Sequence, residues 1–252
     1  MLSDLGKYLV RMKCSFPSKL LLSRYLAWSE LRQTLDDLKI SCVFDVGANR
    51  GQFATGLRKI GYTGWIISYE PMPDDFAAMR RTFEGDPRWR GHQIALGSEN
   101  ATRSFNITLV DSRLSSFLTL RWPDAELKVI PVEVKRLDAV FDEALTGINQ
   151  PRVFLKLDTQ GFDLKVIEGA SGCLDRVLGL LSEIAAEATY DNMPSYLESL
   201  NIYEGLGFRL RGLSEIAWNH NRGTLVEMDC LMIRNSDQNQ RVLGSNEPGA
   251  GP

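Results

Sequence analysis

Residues 43–71 read VFDVGANRGQFATGLRKIGYTGWIISYEP, a run with the order strand, glycine-bearing turn, helix, second strand and terminal acid. Cys42–Val46 is short, apolar and β-rich, and it gives way to Asp45-Val46-Gly47-Ala48-Asn49-Arg50-Gly51. Glycines at 47 and 51 permit backbone angles and a close ligand approach that a β-carbon would block. Residues 52–60 have helical spacing, with Phe53, Leu57 and Ile60 on one face. Residues 65–69 form a second strand, and Glu70 stands at its tip, where a carboxylate accepts hydrogen bonds from ribose hydroxyls. The unit is the nucleoside-binding half of an α/β sheet.

Its details bear on the ligand. The glycines are spaced G-x-x-x-G, so the middle glycine that lets a pyrophosphate sit against the backbone is missing. Asp45, just before the turn, repels a pyrophosphate but suits a ligand with an ammonium and a sulfonium charge. S-adenosylmethionine has both, and a ribose for Glu70. The bland alternative is a strand-to-helix turn with no ligand.

Four segments in order, FDVGANRGQF, YEPMPDDF, IALGS and LKLDTQGFDLKVIEGA, resemble the FkbM-type S-adenosylmethionine-dependent methyltransferases over roughly residues 41–234. The resemblance implies a Rossmann-like class I methyltransferase: α/β, with a mostly parallel seven-stranded sheet and helices on both faces. It also implies methyl transfer, usually to a hydroxyl oxygen. By motif, Asp45, Gly47, Asn49 and Gly51 fall near the methionine portion of the cofactor, and Glu70 and Pro71 in the ribose motif. Leu96, Gly97 and Ser98 follow as candidates to flank the adenine. Departures are Tyr69 for a frequent phenylalanine, and Gln160 and Asp163 where glutamates are common. They leave the choice of catalytic carboxylate open.

The chain has 252 residues, 44% of them apolar, and a net charge of −3. That is enough for one core with appendages, and its scattered lysines and arginines argue against a nucleic-acid surface. Cys14, Cys42, Cys173 and Cys230 form no C-x-x-C pair, so buried thiols in a reducing compartment are expected rather than a zinc site. No apolar run is long enough to span a bilayer and no signal peptide is recognisable, which makes the cytoplasm the default. No metal is required, and the oligomeric state is not readable.

Three regions follow. Residues 1–40, with seven Lys/Arg against four Asp/Glu, form a helical extension broken at Pro17. It either rests on an anionic membrane surface or caps the core. Residues 41–234 form the catalytic domain, and the polar, glycine- and proline-rich residues 235–252 a flexible tail. Within the domain the alternation predicts a helix over 73–83, a third strand over 92–96 and a hairpin pairing 103–109 with 129–137. Beyond these come a helix over 138–145, a strand over 153–157, a helix over 162–173, a strand over 178–184 and a helix over 193–206 begun at Asn192. Strands over 207–213 and 225–233 close the sheet as an antiparallel pair. Between the hairpin strands lies Asp111–Phe117, a polar loop that either reaches over the site or is simply solvated.

In such a sheet the ligand lies beyond the carboxyl ends of the strands, where Asp45, Glu70, Gly97, Asp158 and Glu183 all fall. An alcohol acceptor benefits from a base. His92 is read as structural, at the start of its strand, and His220 as a loop residue. The carboxylates are therefore preferred, Asp158 first and Glu183 second. The alternatives are a helix cap for Asp158 and a salt bridge to Lys156 or Arg152 for Glu183; Asp163 is assigned to the helix dipole. The resulting expectation is O-methylation of a hydroxylated small molecule: a sugar, glycolipid or polyketide-type metabolite. A nicotinamide-dependent oxidoreductase and a non-catalytic binding protein are the rivals.

Overall fold

The computed structural model describes residues 19–219 and 221–235; residues 1–18, His220 and the tail from 236 lie outside the described residues. Helix α1 (Lys19–Asp37) precedes β1 (Cys42–Val46), α2 (Gln52–Lys59), β2 (Trp65–Tyr69), α3 (Pro73–Thr82) and β3 (Trp89–His92). A short β4 (Ala95–Leu96) leads to β5 (Ala101–Thr108) and β6 (Leu127–Lys135), then α4 (Leu137–Ala144), β7 (Val153–Leu157) and α5 (Asp163–Glu168). Last come β8 (Val177–Ala185), α6 (Tyr196–Gly205), β9 (Phe208–Asn219) and β10 (Thr224–Arg234).

The main sheet has the order β3-β2-β1-β7-β8-β10-β9. The first five strands run parallel, while β10 is antiparallel to both β8 and β9. The order reverses between β1 and β7, the place where open α/β sheets bind ligands. Every residue of β1 and β7 is buried, as near-continuous apolar strands must be when helices cover both faces. On one face Phe44, Tyr69, Leu155 and Leu157 pack with Phe141, Val166 and Tyr203. On the other, Val43, Ile66 and Phe154 pack with Leu31, Leu57, Met79 and Phe83. Leu31 and Leu35 of α1 are buried, Trp28 stacks on Phe53 with centroids 5.5 Å apart, and Arg211 bonds Glu30 and Asp37 at 2.8 Å each. A second sheet, β4-β6-β5, contains the expected hairpin, with Arg103 opposite Val132.

Four expectations are corrected. The third strand is Trp89–His92, paired with Ile66–Tyr69, whereas Ala95–Leu96 belongs to the second sheet beside β6. This edge strand is half-buried throughout, so its apolar signal is weak. His92 therefore ends its strand rather than starting it. It stacks on Tyr69 at 5.1 Å with a buried Nε2 that has no hydrogen bond. Helix α5 stops at Glu168 instead of continuing to 173, because Gly169 follows, packed so tightly that a Cβ there would lie 1.9 Å from the Gly97 carbonyl oxygen. Helix α6 starts later, capped by Ser195, whose hydroxyl accepts from the Glu198 N–H at 3.3 Å; Asn192 sits in the turn before it at φ 58°. Strand β9 runs on past 213 to Asn219 and β10 begins at Thr224, since an antiparallel ladder with bulges carries the mixed residues 214–219.

Gly47 is the tightest point between β1 and β7. It has φ 73°, and a Cβ there would lie 2.0 Å from the Asp158 carbonyl oxygen. Gly47→Ala is expected to lower the unfolding free energy by at least about 2 kcal/mol, combining left-handed strain with a backbone clash. Urea unfolding checks this; an unchanged midpoint would show that the two strand ends have room to part.

Candidate active site

A cavity of about 1160 Å³ opens beyond the carboxyl ends of β1, β2 and β7 and continues over the faces of β8, β10 and β9 beneath α1. Its lining includes Gly47, Asn49, Glu70, Pro71, Leu96 and Asp158 at one end, and Glu183, Glu227 and Asp229 at the other. Residues 111–115 and Phe117 also line it, so the polar loop does reach over the site.

Glu70 is buried at the end of β2. Its Oε2 accepts the Asn49 N–H at 2.7 Å and its Oε1 the Met72 N–H at 2.8 Å. Burial pushes its carboxyl up to about 7, against the lowering effect of those two bonds. The Asn49 side chain donates to Asp75 at 3.1 Å and to the Ser112 hydroxyl at 3.2 Å, fastening the loop to the turn.

Three expected cofactor contacts do not line the cavity. Strand alternation aims Asp45 into the packed face of the sheet, where it is 0% exposed. There it faces Lys156 Nζ at 3.5 Å and the Ser68 hydroxyl at 3.5 Å. Burial raises its pKa and Lys156 opposes the rise. Gly51 serves packing, because a Cβ there would lie 2.7 Å from the Phe83 ring. Gly97 is similarly filled in, with Val134 at 2.9 Å and Phe162 at 3.1 Å from the same imagined atom.

Lys156 is 8% exposed and reaches Asp158 Oδ2 at 3.1 Å as well as Asp45. Burial disfavours its charge, but Asp158 and Asp45 outweigh that and the net shift is upward. Asp158 is 37% exposed at the side chain. Its Oδ1 accepts from Gln160 Nε2 at 3.0 Å, and the same amide nitrogen donates to Glu183 Oε1 at 2.9 Å. Glu183 thus pairs with Gln160 rather than with Lys156; Arg152 bonds the Leu38 carbonyl. Gln160 Oε1 accepts from the Tyr190 hydroxyl at 2.9 Å, and its carbonyl accepts from Ser116 at 2.8 Å. Asp163 begins α5, but its buried carboxylate is occupied by the Thr159 N–H at 2.8 Å and the Ser182 hydroxyl at 2.7 Å.

Sequence reasoning passed over Gln160 as a hub, Tyr190, Glu227 and Asp229. The signal for the last two was present in Val226-Glu227-Met228-Asp229-Cys230, where acids alternate with apolar residues in a strand that lies inside the sheet.

Strand order, switch point and cavity together define a class I methyltransferase. The sequence profile of the methyltransferase FkbM domain matches residues 45–210, and the chain belongs to this family of S-adenosylmethionine-dependent methyltransferases. The nicotinamide rival is set aside. No curated protein sequence matches the chain significantly. Solved structures that resemble it include magnesium protoporphyrin IX methyltransferase from Synechocystis PCC 6803 with bound SAM. That likeness is at 9% identity and TM-score 0.47, over 84% of this chain and 79% of that one. An rRNA methylase from Streptococcus thermophilus matches at 11% identity and TM-score 0.43, over 83% and 94%. A SAM-dependent methyltransferase from Aquifex aeolicus matches at 14% and 0.42, over 80% and 88%.

Lys156→Met strands Asp45 as a buried acid without its cation. The expected cost is about 3–5 kcal/mol in urea unfolding, partly recovered by adding Asp45→Asn. Full stability in the single variant would contradict the ion pairing described.

Proposed function

We propose that the chain methylates a hydroxyl oxygen of a small molecule, with cofactor at the β1–β2 end of the cavity and acceptor over Asp158 and Glu183. The observation that carries this reading is the Gln160 bridge, which places two carboxylates side by side in the same cavity as Glu70. The residues present fit the cofactor. Glu70 retains a second lone pair on each oxygen for ribose hydroxyls, Pro71 adjoins it, and Leu96 offers an apolar surface for adenine. Gly47 and Asn49 border the methionine portion. Asp45, Gly51 and Gly97 act behind this lining, shaping it through Lys156, α2 and β6.

When bound, the cofactor supplies a methyl group on a good leaving group. The protein's task is alignment, which contributes on the order of 7–11 kcal/mol in favourable cases, and removal of the hydroxyl proton. Asp158 orients the hydroxyl, and the proton passes to the Asp158–Glu183 pair. Burial first, then Asp158, holds the Glu183 carboxyl well above the usual carboxylate range, which makes it a better proton acceptor than an exposed carboxylate. Cys42, Cys173 and Cys230 are free and buried, which supports a reducing, cytoplasmic setting. No described helix is long and apolar enough to cross a membrane. We divide the chain into an N-terminal extension over 1–40, the methyltransferase domain over 41–234 and a C-terminal segment from 235.

Two measurements test the assignment. A ribose hydroxyl donates to ionised Glu70, so affinity for S-adenosylhomocysteine should rise with pH up to about 7 and then level off, approaching tenfold per unit at the acid side. Glu70→Gln should flatten that profile in calorimetry; an identical slope would remove Glu70 from the site. Labelled methyl donor with fractionated cell extract should yield an alkali-stable ether. Asp158→Asn should lower that labelling by about 10²–10⁴-fold while leaving S-adenosylhomocysteine affinity within about twofold. Label found on nitrogen would sink the O-methyl reading.

A further inference from the structure

Beyond Lys156 the cavity is more acidic than transfer to a neutral alcohol requires. Asp158 follows β7, Glu183 lies on β8, and Glu227 and Asp229 lie on β10, all in the lining. Asp229 stands directly opposite Glu183 in the β8–β10 ladder, and like charges placed so destabilise a sheet. Among the described residues no hydrogen bond or ion pair reaches the Asp229 carboxylate. The cations nearby are engaged elsewhere: Lys156 with Asp45 and Asp158, and Arg211 with Glu30 and Asp37. Arg113, on the loop, pairs with Asp111 at 2.6 Å. Arg24 is carried by the α1 wall rather than by the sheet.

We propose that this half of the cavity binds its acceptor through a protonated amino group, so that the substrate class is a hydroxy amine. The inference rests on the O-methyltransferase reading above and narrows it. An ammonium offers three N–H donors, which Glu183, Glu227 and Asp229 can share in charge-assisted hydrogen bonds. Held in this way the nitrogen has no lone pair for a methyl group, leaving a hydroxyl near Asp158 as the nucleophile. A phosphate or carboxylate in the same place meets repulsion from four acids. Leu26, Leu213 and Leu231, also in the lining, suit the carbon skeleton.

The three acids also lend the interaction a proton signature. Burial, followed by Asp158, pushes Asp229 up to about 7, with Lys156 opposing and Asp163 adding. Glu183 and Glu227 are likewise raised by burial first. Gln160 donates to Glu183, and the Thr189 hydroxyl donates to Glu227 at 3.3 Å; Glu215 adds a further acid from β9. Without ligand the Asp229 carboxyl is part-protonated near neutrality, and an arriving ammonium displaces that proton. Binding therefore strengthens as pH rises through about 7, where a neutral polyol shows no such release.

The test uses the full chain loaded with S-adenosylhomocysteine and three probes of equal length: 6-aminohexanol, hexane-1,6-diol and 6-hydroxyhexanoate. Calorimetry at neutral pH, in two buffers of different ionisation enthalpy, reads affinity and proton release together. The amino alcohol should bind at least about tenfold tighter than the diol, with protons released, and the hydroxy acid should bind weakest. Asp229→Asn, and separately Glu227→Gln, should bring the amino alcohol close to the diol while S-adenosylhomocysteine affinity is kept. Equal affinity of diol or hydroxy acid, binding of the amine without proton release, or no binding by any probe would overturn the proposal. In each of those cases retained S-adenosylhomocysteine affinity leaves the methyltransferase reading standing; its loss in the unaltered protein defeats that reading instead.

Discussion

The ammonium of Lys156 joins the ends of the two central strands, and the site is built around that contact. It lies 3.5 Å from Asp45 on β1 and 3.1 Å from Asp158 after β7, 5.4 Å from the centroid of the Phe53 ring. Two acids share one cation, Asp45 and the ammonium nearly closed to water and Asp158 partly open to the cavity. Such an arrangement is costly to form and more costly to break, because either partner alone is an uncompensated buried charge. Gly47 makes the close approach sterically feasible, and the Lys156 ammonium also points at its carbonyl oxygen, 3.5 Å away. The strand ends are thus drawn together where the sheet order reverses, and the cavity begins at that seam.

A second layer of polar contacts distributes this order across the cavity. Gln160, at φ 53°, is followed by Gly161 at φ 85°, so the chain turns sharply enough to aim one amide at both Asp158 and Glu183. Tyr190 is wholly buried and also bonds the Leu114 carbonyl at 2.9 Å. The loop over 111–117 is therefore tied to the carboxylates through Gln160 and Tyr190, and to the β1 turn through Asn49 and Ser112. The two ends of the cavity share a continuous hydrogen-bonded frame, closed from above by α1.

Much of this was legible locally. The β1–α2–β2 unit, the acid at its end, the hairpin and the position of Asp158 after β7 follow from periodicity and turn chemistry over short spans. Errors arose where a residue's environment is set by distant chain. Asp45 resembles a ligand contact until Ser68 and Lys156 are placed on either side of it. Trp89–His92 carries little apolar pattern because it is an edge strand whose register is supplied by β2. The acids of β10 stood in a strand read only as a sheet closer, and their opposition to Glu183 exists only once β10 inserts between β8 and β9.

By itself the sequence determined the class of fold, the family and the turn and acid that form the Glu70 end of the cavity, because these reside in contiguous motifs whose geometry is local. The tertiary structure decided which carboxylates face the cavity, which are buried behind it, and how acidic the end beyond Lys156 becomes. The reason is physical: desolvation and Coulomb interactions depend on distance in space, and Asp45, Lys156, Glu183 and Asp229 become neighbours only through strand pairing.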